Sequence, residues 1–198
     1  MREARKTAVI VIDMQNDTVH PEGAFASTGA ADHAASQHVI PNVLNIVETA
    51  RATSTPVFFH RIVVYPGEVG GSNAPIFRML GPESFKLGTW GAEIVDELAP
   101  LEGEIVLDRN RMSIFNGTGI DHMLRNLAVT DLVVVGAWSN MAVEHSIRDA
   151  ADHGYDVTTV ADATSSLSAE WQHAALNFAL QNIATIADTD SVITALRS

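Results

Sequence analysis

Cysteine is absent from this chain of 198 residues. Without a thiol, the chain cannot form disulfides, thiolate metal sites or iron–sulfur clusters, and it has no cysteine nucleophile. Basic residues are also scarce, because Lys+Arg 12 against Asp+Glu 24 gives a formal net charge of −12 at pH 7. A surface of this charge repels phosphate groups, so we expect neither nucleic acid nor an anionic membrane as a partner.

Long apolar runs and cofactor motifs are missing as well. The first apolar run, Val9 to Ile12, is too short for a signal-peptide core or a membrane span, so we expect a cytoplasmic protein. Neither G-x-G-x-x-G nor a Walker A motif is present, and the eight histidines lack the spacing of metal ligands. We therefore expect no metal and no cofactor.

The composition is that of a globular protein with a substantial core. Hydrophobic residues make up 46% and charged residues 18%, which excludes a disordered chain. The length predicts a single domain over residues 1–198. The stretch from Tyr65 to Gly88 is rich in glycine and proline and is bracketed by structured segments. It predicts a long surface loop that borders a site.

Apolar runs rich in β-formers alternate with amphipathic stretches along the chain. The predicted strands are Thr7–Asp13, Pro56–Val64, Glu104–Asp108, Asp131–Ala137, Asp156–Val160 and Ile183–Ala187. The predicted helices include stretches around Val43–Ala50, after Gly91, around Ile120–Leu127, Met141–His153, Ala169–Asn182 with Ser168 as N-cap, and a last helix capped by Thr189 or Asp190. This alternation predicts an α/β fold of three α-β-α layers, with a central, mostly parallel six-stranded sheet.

In such sheets ligands bind beyond the carboxyl ends of the strands, so the polar residues there are candidates for a site. Asp13 ends the first strand and is interpreted either as a helix cap or loop anchor, or as an acid/base group. Arg109 and Arg111 follow the third strand. They either pair with Asp108 or another acid, or they supply a fixed positive charge to a substrate.

The stretch Val134–Ala150 predicts a strand, a turn at Gly136 and a helix that starts near Asn140. Backbone amides at a helix start lack partners and could stabilise an oxyanion. No nucleophile stands there, because Ala142 is inert and Ser139 lacks a G-x-S-x-G frame. The aromatic residues of these rim segments form either a pocket wall or part of the core: Phe25, Trp90, Phe115 and Trp138.

Four ordered blocks of sequence resemble the isochorismatase-like hydrolase superfamily, the cysteine-hydrolase family. They are VIDMQND at the first strand, KLGTWGAEIVDELAP at Lys86–Pro100, LDRNRMSIFNGTGIDHMLR at Leu107–Arg125 and VVGAWSNMAVEHSIRDAADHGYDVTTVADA at Val134–Ala163. The resemblance covers nearly the whole chain and implies a homo-oligomer, either a dimer or a tetramer, that acts on a small-molecule substrate.

The resemblance also implies an active site. Family amidases use an Asp, a Lys and a Cys, and these map to Asp13, Arg109 and Ala142, so two of the three positions depart from the pattern. The family's cis peptide maps to Ala137–Trp138. The substrate-binding residues that the matching blocks and rim segments suggest are Gln15, Phe25, Trp90, Phe115, Trp138, Ser139, Asn140 and Met141.

Since Ala142 cannot form a thioester, three interpretations stay open. The chain resembles the family members that lack the cysteine and hydrolyse an isochorismate-like enol ether, with Asp13 as acid/base. Alternatively, it is a catalytically degenerate ligand-binding or scaffold member, or a Cys-to-Ala variant of an amidohydrolase. We expect a metal-independent hydrolase without a cysteine nucleophile. If Arg109 pairs with Asp13, the carboxylate is better suited to activate water as a base.

Overall fold

The computed structural model describes residues 6–67, 74–78, 81 and 83–198. It contains six strands: β1 (Thr7–Ile12), β2 (Val57–Ile62), β3 (Ile105–Arg109), β4 (Asp131–Ala137), β5 (Asp156–Ser165) and β6 (Thr185–Ala187). They form one sheet in the order β3-β2-β1-β4-β5-β6, and every neighbouring pair is parallel. The predicted α/β fold with a central six-stranded sheet is confirmed, and the sheet is entirely parallel.

Helices cover both faces of this sheet. Their bounds are α1 (Asn16–Val19), α2 (Ala30–Ser36), α3 (Val39–Ala52), α4 (Pro75–Arg78), α5 (Ile120–Asn126), α6 (Glu144–Asp152), α7 (Ala169–Ala174) and α8 (Thr189–Leu196). The apolar residues of α2, α3 and α8 belong to the core on one face, and those of α5 and α6 belong to the core on the other. This gives the three-layer arrangement.

The central strand β1 shows why its sequence is apolar without alternation. Val9 and Val11 pack into one core, whereas Ile10 and Ile12 pack into the other, and all four are buried. A parallel strand covered on both faces needs apolar residues at successive positions. The strand therefore carries the chain to Asp13 with no polar side chain between Ala8 and Ile12.

The segment after Gly91 differs from its prediction as a helix. It forms two single 3-10 turns, Trp90–Ala92 and Asp96–Leu98. The backbone between them is tied to the loop after β1, because the amide of Asn16 donates to the carbonyl of Glu93 (2.9 Å) and the amide of Val95 donates to the carbonyl of Met14 (3.0 Å). These bonds hold the segment extended where a helix would turn.

Two helix caps can be compared with the sequence. Ser168 caps α7 as predicted, since its side chain accepts a hydrogen bond from the amide of Trp171. The cap of α8 is Asp188, whose carboxylate accepts from the amide of Ser191 (2.8 Å), and not Thr189 or Asp190. The difference arises because β6 already ends at Ala187, so the helix begins one residue earlier than expected.

The predicted loop from Tyr65 to Gly88 is described only in part. Residues 68–73, 79–80 and 82 lie outside the described residues. The described portion contains α4 and brings Phe85 into a buried position, so this stretch contributes to the core as well as to the surface. Among the described residues, no helix is both long and apolar enough to cross a membrane.

Candidate active site

A small cavity of about 40 Å³ lies beyond the carboxyl ends of β1, β2 and β4, at the sheet edge where the sequence predicts a site. Apolar side chains make up most of its wall. The described residues that line it are Asp13, Thr18, Phe25, Ile62, Ile76, Phe85, Met112, Ala137, Trp138, Met141 and Ala142. Asp13 is the only charged residue in this set, and none of the set is a lysine, arginine or histidine.

Asp13 and Arg109 form a buried, two-pronged ion pair. The two Nη atoms of Arg109 donate to the two carboxylate oxygens of Asp13, at 2.6 and 2.8 Å. The Arg109 side chain is fully buried, and it also donates from Nε (3.2 Å) and from one Nη (3.0 Å) to the carbonyl of Met112. Of the two interpretations offered for Arg109, the structure therefore shows ion pairing, with Asp13 as its acid.

The two charged residues closest to Arg109 in the sequence, Asp108 and Arg111, form hydrogen bonds with other groups. Asp108 binds Arg61 through two hydrogen bonds of 2.7 and 3.0 Å. Arg61 also reaches Glu93 at 2.6 Å. Arg111 donates to the carbonyl of its neighbour Asn110 at 2.8 Å. Among the described residues, these contacts leave the Asp13–Arg109 pair as the charged feature at the cavity.

Burial raises the pKa of Asp13 above its ordinary value, while the charge and the hydrogen bonds of Arg109 act in the opposite direction. A carboxylate with a raised pKa is a stronger base than one on the surface. The guanidinium favours the ionised form of this carboxylate. The backbone of Ile62 also contributes a hydrogen bond to this carboxylate, which leaves one of its four lone pairs for a water molecule.

The turn after β4 forms another part of the cavity wall. The peptide bond between Ala137 and Trp138 is cis, at the position that the resemblance implies. Gly136 has φ of 116°, and a Cβ there would lie 2.0 Å from the carbonyl oxygen of Ile12, so only glycine fits this close approach to β1. A π-helical turn, Ser139–Val143, follows and brings Ala142 to the cavity.

Three aromatic rings form one side of the cavity. The rings of Phe25 and Trp138 meet edge to face at 5.0 Å, and the rings of Phe25 and Phe85 stack at 5.7 Å. All three side chains are buried. Phe85 is fixed from the backbone, because its amide donates to the carboxylate of Asp17 at 2.7 Å. Phe25, Trp138 and Met141 are thus predicted site residues that the structure brings to the cavity.

Two predicted aromatic residues lie away from it. The Trp90 ring is half exposed and meets the ring of His20 edge to face at 5.0 Å. Phe115 stacks on His153 at 4.8 Å and packs against the core on the face of α5 and α6. Aromatic residues in rim segments serve core and surface contacts as well as pockets, so sequence position alone does not separate these roles.

Three predicted polar residues hold the framework of the site instead of lining the cavity. The Gln15 side chain donates to the carbonyls of Ile62 (2.9 Å) and Ala92 (2.8 Å), and its Oε1 accepts from the amide of Ile62 (2.9 Å). The Ser139 hydroxyl has two acceptors within hydrogen-bond distance, the carbonyl of Ser165 (3.0 Å) and the side-chain oxygen of Gln172, which share its one proton. The side-chain oxygen of Asn140 accepts from the hydroxyl of Ser166.

Six lining residues escaped the sequence analysis: Thr18, Ile62, Ile76, Phe85, Met112 and Ala137. Most of them are apolar, and they come from separate parts of the chain, namely two short helices, the ends of two strands and two loops, so no local pattern marks them. Thr18 carried a detectable signal, since it is a polar residue directly after the first motif block, five positions after Asp13. Within the described ranges, no group of three or more His, Cys, Asp or Glu side chains could hold a metal ion.

Comparisons with known proteins place this fold and site in context. Residues 7–191 match the isochorismatase domain family. The chain is 32% identical over 180 residues to the ureidoacrylate amidohydrolase RutB of Rhizobium rhizogenes, covering 84% of this chain and 73% of that protein. It is 31% identical to the N-carbamoylsarcosine amidase of an Arthrobacter species, covering 76% of this chain and 56% of that protein.

Solved structures give the same result. An isochorismatase-like hydrolase from Alkaliphilus metalliredigens superposes with a TM-score of 0.81 at 28% identity, covering 96% of this chain and 98% of that chain. An isochorismatase family protein from Desulfovibrio vulgaris superposes with a TM-score of 0.85 at 27% identity, covering 98% and 100%. The chain therefore belongs to the isochorismatase family of hydrolases.

Proposed function

We propose that this protein hydrolyses a small, uncharged carbonyl compound by direct attack of water, with Asp13 as the general base and with no covalent intermediate. The observation that carries the proposal is that Asp13 and Ala142 line the same cavity. The position that holds the thiol in family amidases thus faces the acid/base group but offers only a methyl group. A water molecule takes the place of that nucleophile.

The chemistry of Asp13 fits this role. Burial makes the carboxylate more basic, and the two-pronged contact with Arg109 fixes its orientation. Asp13 accepts a proton from water as the water attacks the carbonyl carbon, and it returns that proton to the leaving group when the tetrahedral intermediate collapses. Arg109 keeps its own proton throughout, because arginine does not titrate near neutral pH.

The turn after β4 supplies the second element of the proposal. The amides of Met141 and Val143 donate to the carbonyl of Trp138, at 2.9 and 3.3 Å. Amides in the first turn of a helical segment lack partners within it. We therefore assign the Ala142 amide to the oxyanion of the tetrahedral intermediate, since Ala142 lines the cavity.

The charge of the cavity argues for an uncharged substrate. Arg109 is committed to Asp13, the described lining residues include no other basic side chain, and the chain carries −12 overall. An isochorismate-like substrate has two carboxylates and would find no counter-charge in this wall. The names of RutB and N-carbamoylsarcosine amidase contain ureido and carbamoyl groups, so an amide or urea is the reacting group that we propose. Acrylate and sarcosine also carry a carboxylate, for which the described wall of this cavity offers no counter-charge.

A second candidate function is ligand binding without turnover. The observation that favours it is the small volume of the cavity, about 40 Å³, with Trp138 and Met141 in its wall. Under this alternative, the buried pair of Asp13 and Arg109, which has no net charge, would stabilise the fold and take no part in a reaction.

A panel of uncharged amides and ureas, with isochorismate as the charged comparison, separates these functions. We expect turnover of at least one uncharged compound, and a decrease of about 10²–10⁴-fold in the Asp13→Asn variant. Asp108→Asn is the control, because Asp108 pairs with Arg61 outside the cavity. Binding without turnover across the whole panel would refute the proposal.

One further variant addresses the remaining interpretation. If the chain were an amidohydrolase disabled at a single position, Ala142→Cys would raise amide hydrolysis far above the wild-type rate. A covalent acyl-enzyme would then be detected by mass spectrometry. We expect no such gain, because Arg109 and not lysine stands beside Asp13.

A further inference from the structure

Residues 169–179, which comprise α7 and the π-helical turn after it, present an exposed apolar face. Phe178 is 69% exposed, the largest fraction among the large hydrophobic side chains of the described residues, and Trp171 is 49% exposed. Ala174 and Ala175 lie between the two rings in the sequence. The solvent side of a helix in a monomer normally carries polar residues, so this α7 face has the character of a surface that a partner covers.

A groove of about 370 Å³ runs along the α7 face. Trp171 lines it together with three small residues, Ala174, Ala175 and Ala179. Small side chains allow a second helix to approach closely, because the distance between packed helices depends on the side chains at their contact. The volume of the groove is ample for one aromatic ring. The face therefore combines a projecting ring, Phe178, with a depression that a ring can enter.

The α7 face is complementary to itself when a second copy is rotated by 180°. Trp171 and Phe178 are equally far in the sequence from the step between Ala174 and Ala175. A two-fold axis at this step makes the segments antiparallel and places Trp171 of each copy opposite Phe178 of the other. Pairs of aromatic rings favour association beyond the area that they bury.

Charges at the two ends of the segment follow the same symmetry. Glu170 is exposed in the first turn of α7. Arg148 lies at the other end, because one of its Nη atoms donates to the carbonyl of Ala179 at 2.8 Å. In the antiparallel pair, position 170 lies opposite position 179, so each Arg148 guanidinium faces Glu170 of the other copy. Since a chain of net charge −12 repels its own copy over most of its surface, a face where opposite charges meet is favoured.

We propose that residues 169–179 form the interface of a two-fold symmetric homodimer, in which the α7 segments of two copies pack antiparallel. This goes beyond the homo-oligomer that the family resemblance implies, because the surface, the symmetry axis and the contacts are specified. The groove also includes Asn140 and Glu144, so the second copy covers the outer side of the turn that carries Ala142. The pairing does not depend on which reaction the cavity carries out.

Analytical ultracentrifugation of the full chain tests the surface. We expect a dimer, or a larger even-numbered assembly, whose mass is halved by Phe178→Ser, with a dissociation constant raised about 30-fold or more. Leu101→Ser is the matched control, because Leu101 is 56% exposed but lies near the start of the edge strand β3, and it should leave the mass unchanged. A wild type that is monomeric at tens of micromolar, or an assembly that Phe178→Ser leaves intact, would overturn the proposal.

Charge exchange tests the antiparallel arrangement. Arg148→Glu and Glu170→Arg should each weaken the dimer by about tenfold, and the double variant should recover most of the lost affinity, because the two charges meet again with their positions exchanged. A double variant that is no tighter than either single variant would show that these residues do not meet.

The absence of cysteine allows one introduced thiol to report on the symmetry axis. A disulfide needs Cα atoms roughly 4.4–6.8 Å apart, which identical positions reach only beside a two-fold axis. Ala174→Cys should therefore give a disulfide-linked dimer under mild oxidation, and Leu101→Cys should not. Failure of Ala174→Cys to cross-link, or equally fast cross-linking of both variants, would contradict the proposed axis.

Discussion

The Arg109 side chain extends from the end of β3 past β2 and binds Asp13 at the end of β1. Arg109 ends β3 and lies opposite Ile62 of β2, while Asp13 follows β1 on the far side of β2. The two side chains nevertheless meet through both prongs of the guanidinium, at 2.6 and 2.8 Å, out of contact with bulk water. The pair joins the ends of two strands and fixes the carboxylate at the cavity.

Removing one partner of this pair should strongly destabilise the folded protein. Arg109→Met leaves the Asp13 carboxylate buried without its partner, so we expect a loss of about 3–5 kcal/mol in the free energy of unfolding at pH 7. Urea denaturation measures it. Lys86→Met is the control, because Lys86 and Glu83 form an exposed pair whose loss should be barely measurable. Equal, small effects for both variants would show that the Asp13–Arg109 pair does not hold the strand ends together.

The rate of hydrolysis should depend on pH through Asp13. As a general base, Asp13 acts when it is ionised, so the rate should rise with pH through the pKa of this carboxyl. Burial raises that pKa, which places the acid limb above the ordinary 3.8 of an aspartate. Arg109→Lys removes the two-pronged contact that favours the ionised form, and should move the limb to higher pH. A rate that falls with rising pH over this range would instead indicate a general acid.

His60 should reduce stability in mild acid. Burial, and then the nearby Arg109 charge, hold its pKa well below 6.5, and neither ring nitrogen has a partner among the described residues. Protonation therefore favours the unfolded chain. The stability present above the unfolded pKa of about 6.5 is lost progressively as pH falls below it.

His60→Leu should consequently stabilise the protein by about 1–3 kcal/mol at neutral pH, and should make the decline below pH 6.5 shallower. Urea denaturation at pH 5 to 8 measures both effects. His122→Leu, at an exposed histidine, is the control, and His60→Leu should change the slope more than it does. A destabilised His60→Leu variant would mean that the ring has a partner in solution.

Gln15 should behave as part of the framework and not as a ligand contact. Its side-chain amide forms three hydrogen bonds with the backbone of Ile62 and Ala92. The substitution Gln15→Leu would leave those buried backbone groups without a hydrogen-bond partner. We expect a loss of about 1–3 kcal/mol for each group, seen as a lower urea midpoint. The affinity of the folded fraction for an uncharged amide of the panel should stay within twofold of wild type. A folded variant with strongly weakened binding would indicate that Gln15 contacts the ligand.

The sequence predicted the parts of this molecule that depend on local pattern. A buried parallel strand needs a continuous apolar run, and the ends of such runs locate Asp13 and Arg109 at one edge of the sheet. The turn around Ala142 follows from the motif block of which it is a part. The pairing of Asp13 with Arg109 had to remain an alternative, because two residues 96 positions apart meet only through the strand order.

The cavity wall itself was less accessible to prediction. Ile76 reaches the cavity from the short helix α4, and Phe85 and Met112 reach it from loops; the position of Phe85 depends on a tertiary hydrogen bond from its amide to Asp17. Gln15 and Ser139 are polar residues in motif blocks, but they are tied to backbone and framework partners. A motif indicates that a residue matters, and only the contacts show whether it matters to the ligand or to the fold.

Direct attack by water is the central claim, and isotope labelling in a single turnover tests it. The enzyme, in excess over an amide that it hydrolyses, is placed in water enriched in ¹⁸O, and the acid product and the peptide that contains Asp13 are analysed by mass spectrometry. The account predicts one ¹⁸O atom in the acid product of the first turnover, and no label in the peptide. Unlabelled product from the first turnover, with ¹⁸O in the Asp13 carboxylate, would show a covalent intermediate on Asp13 and contradict the account.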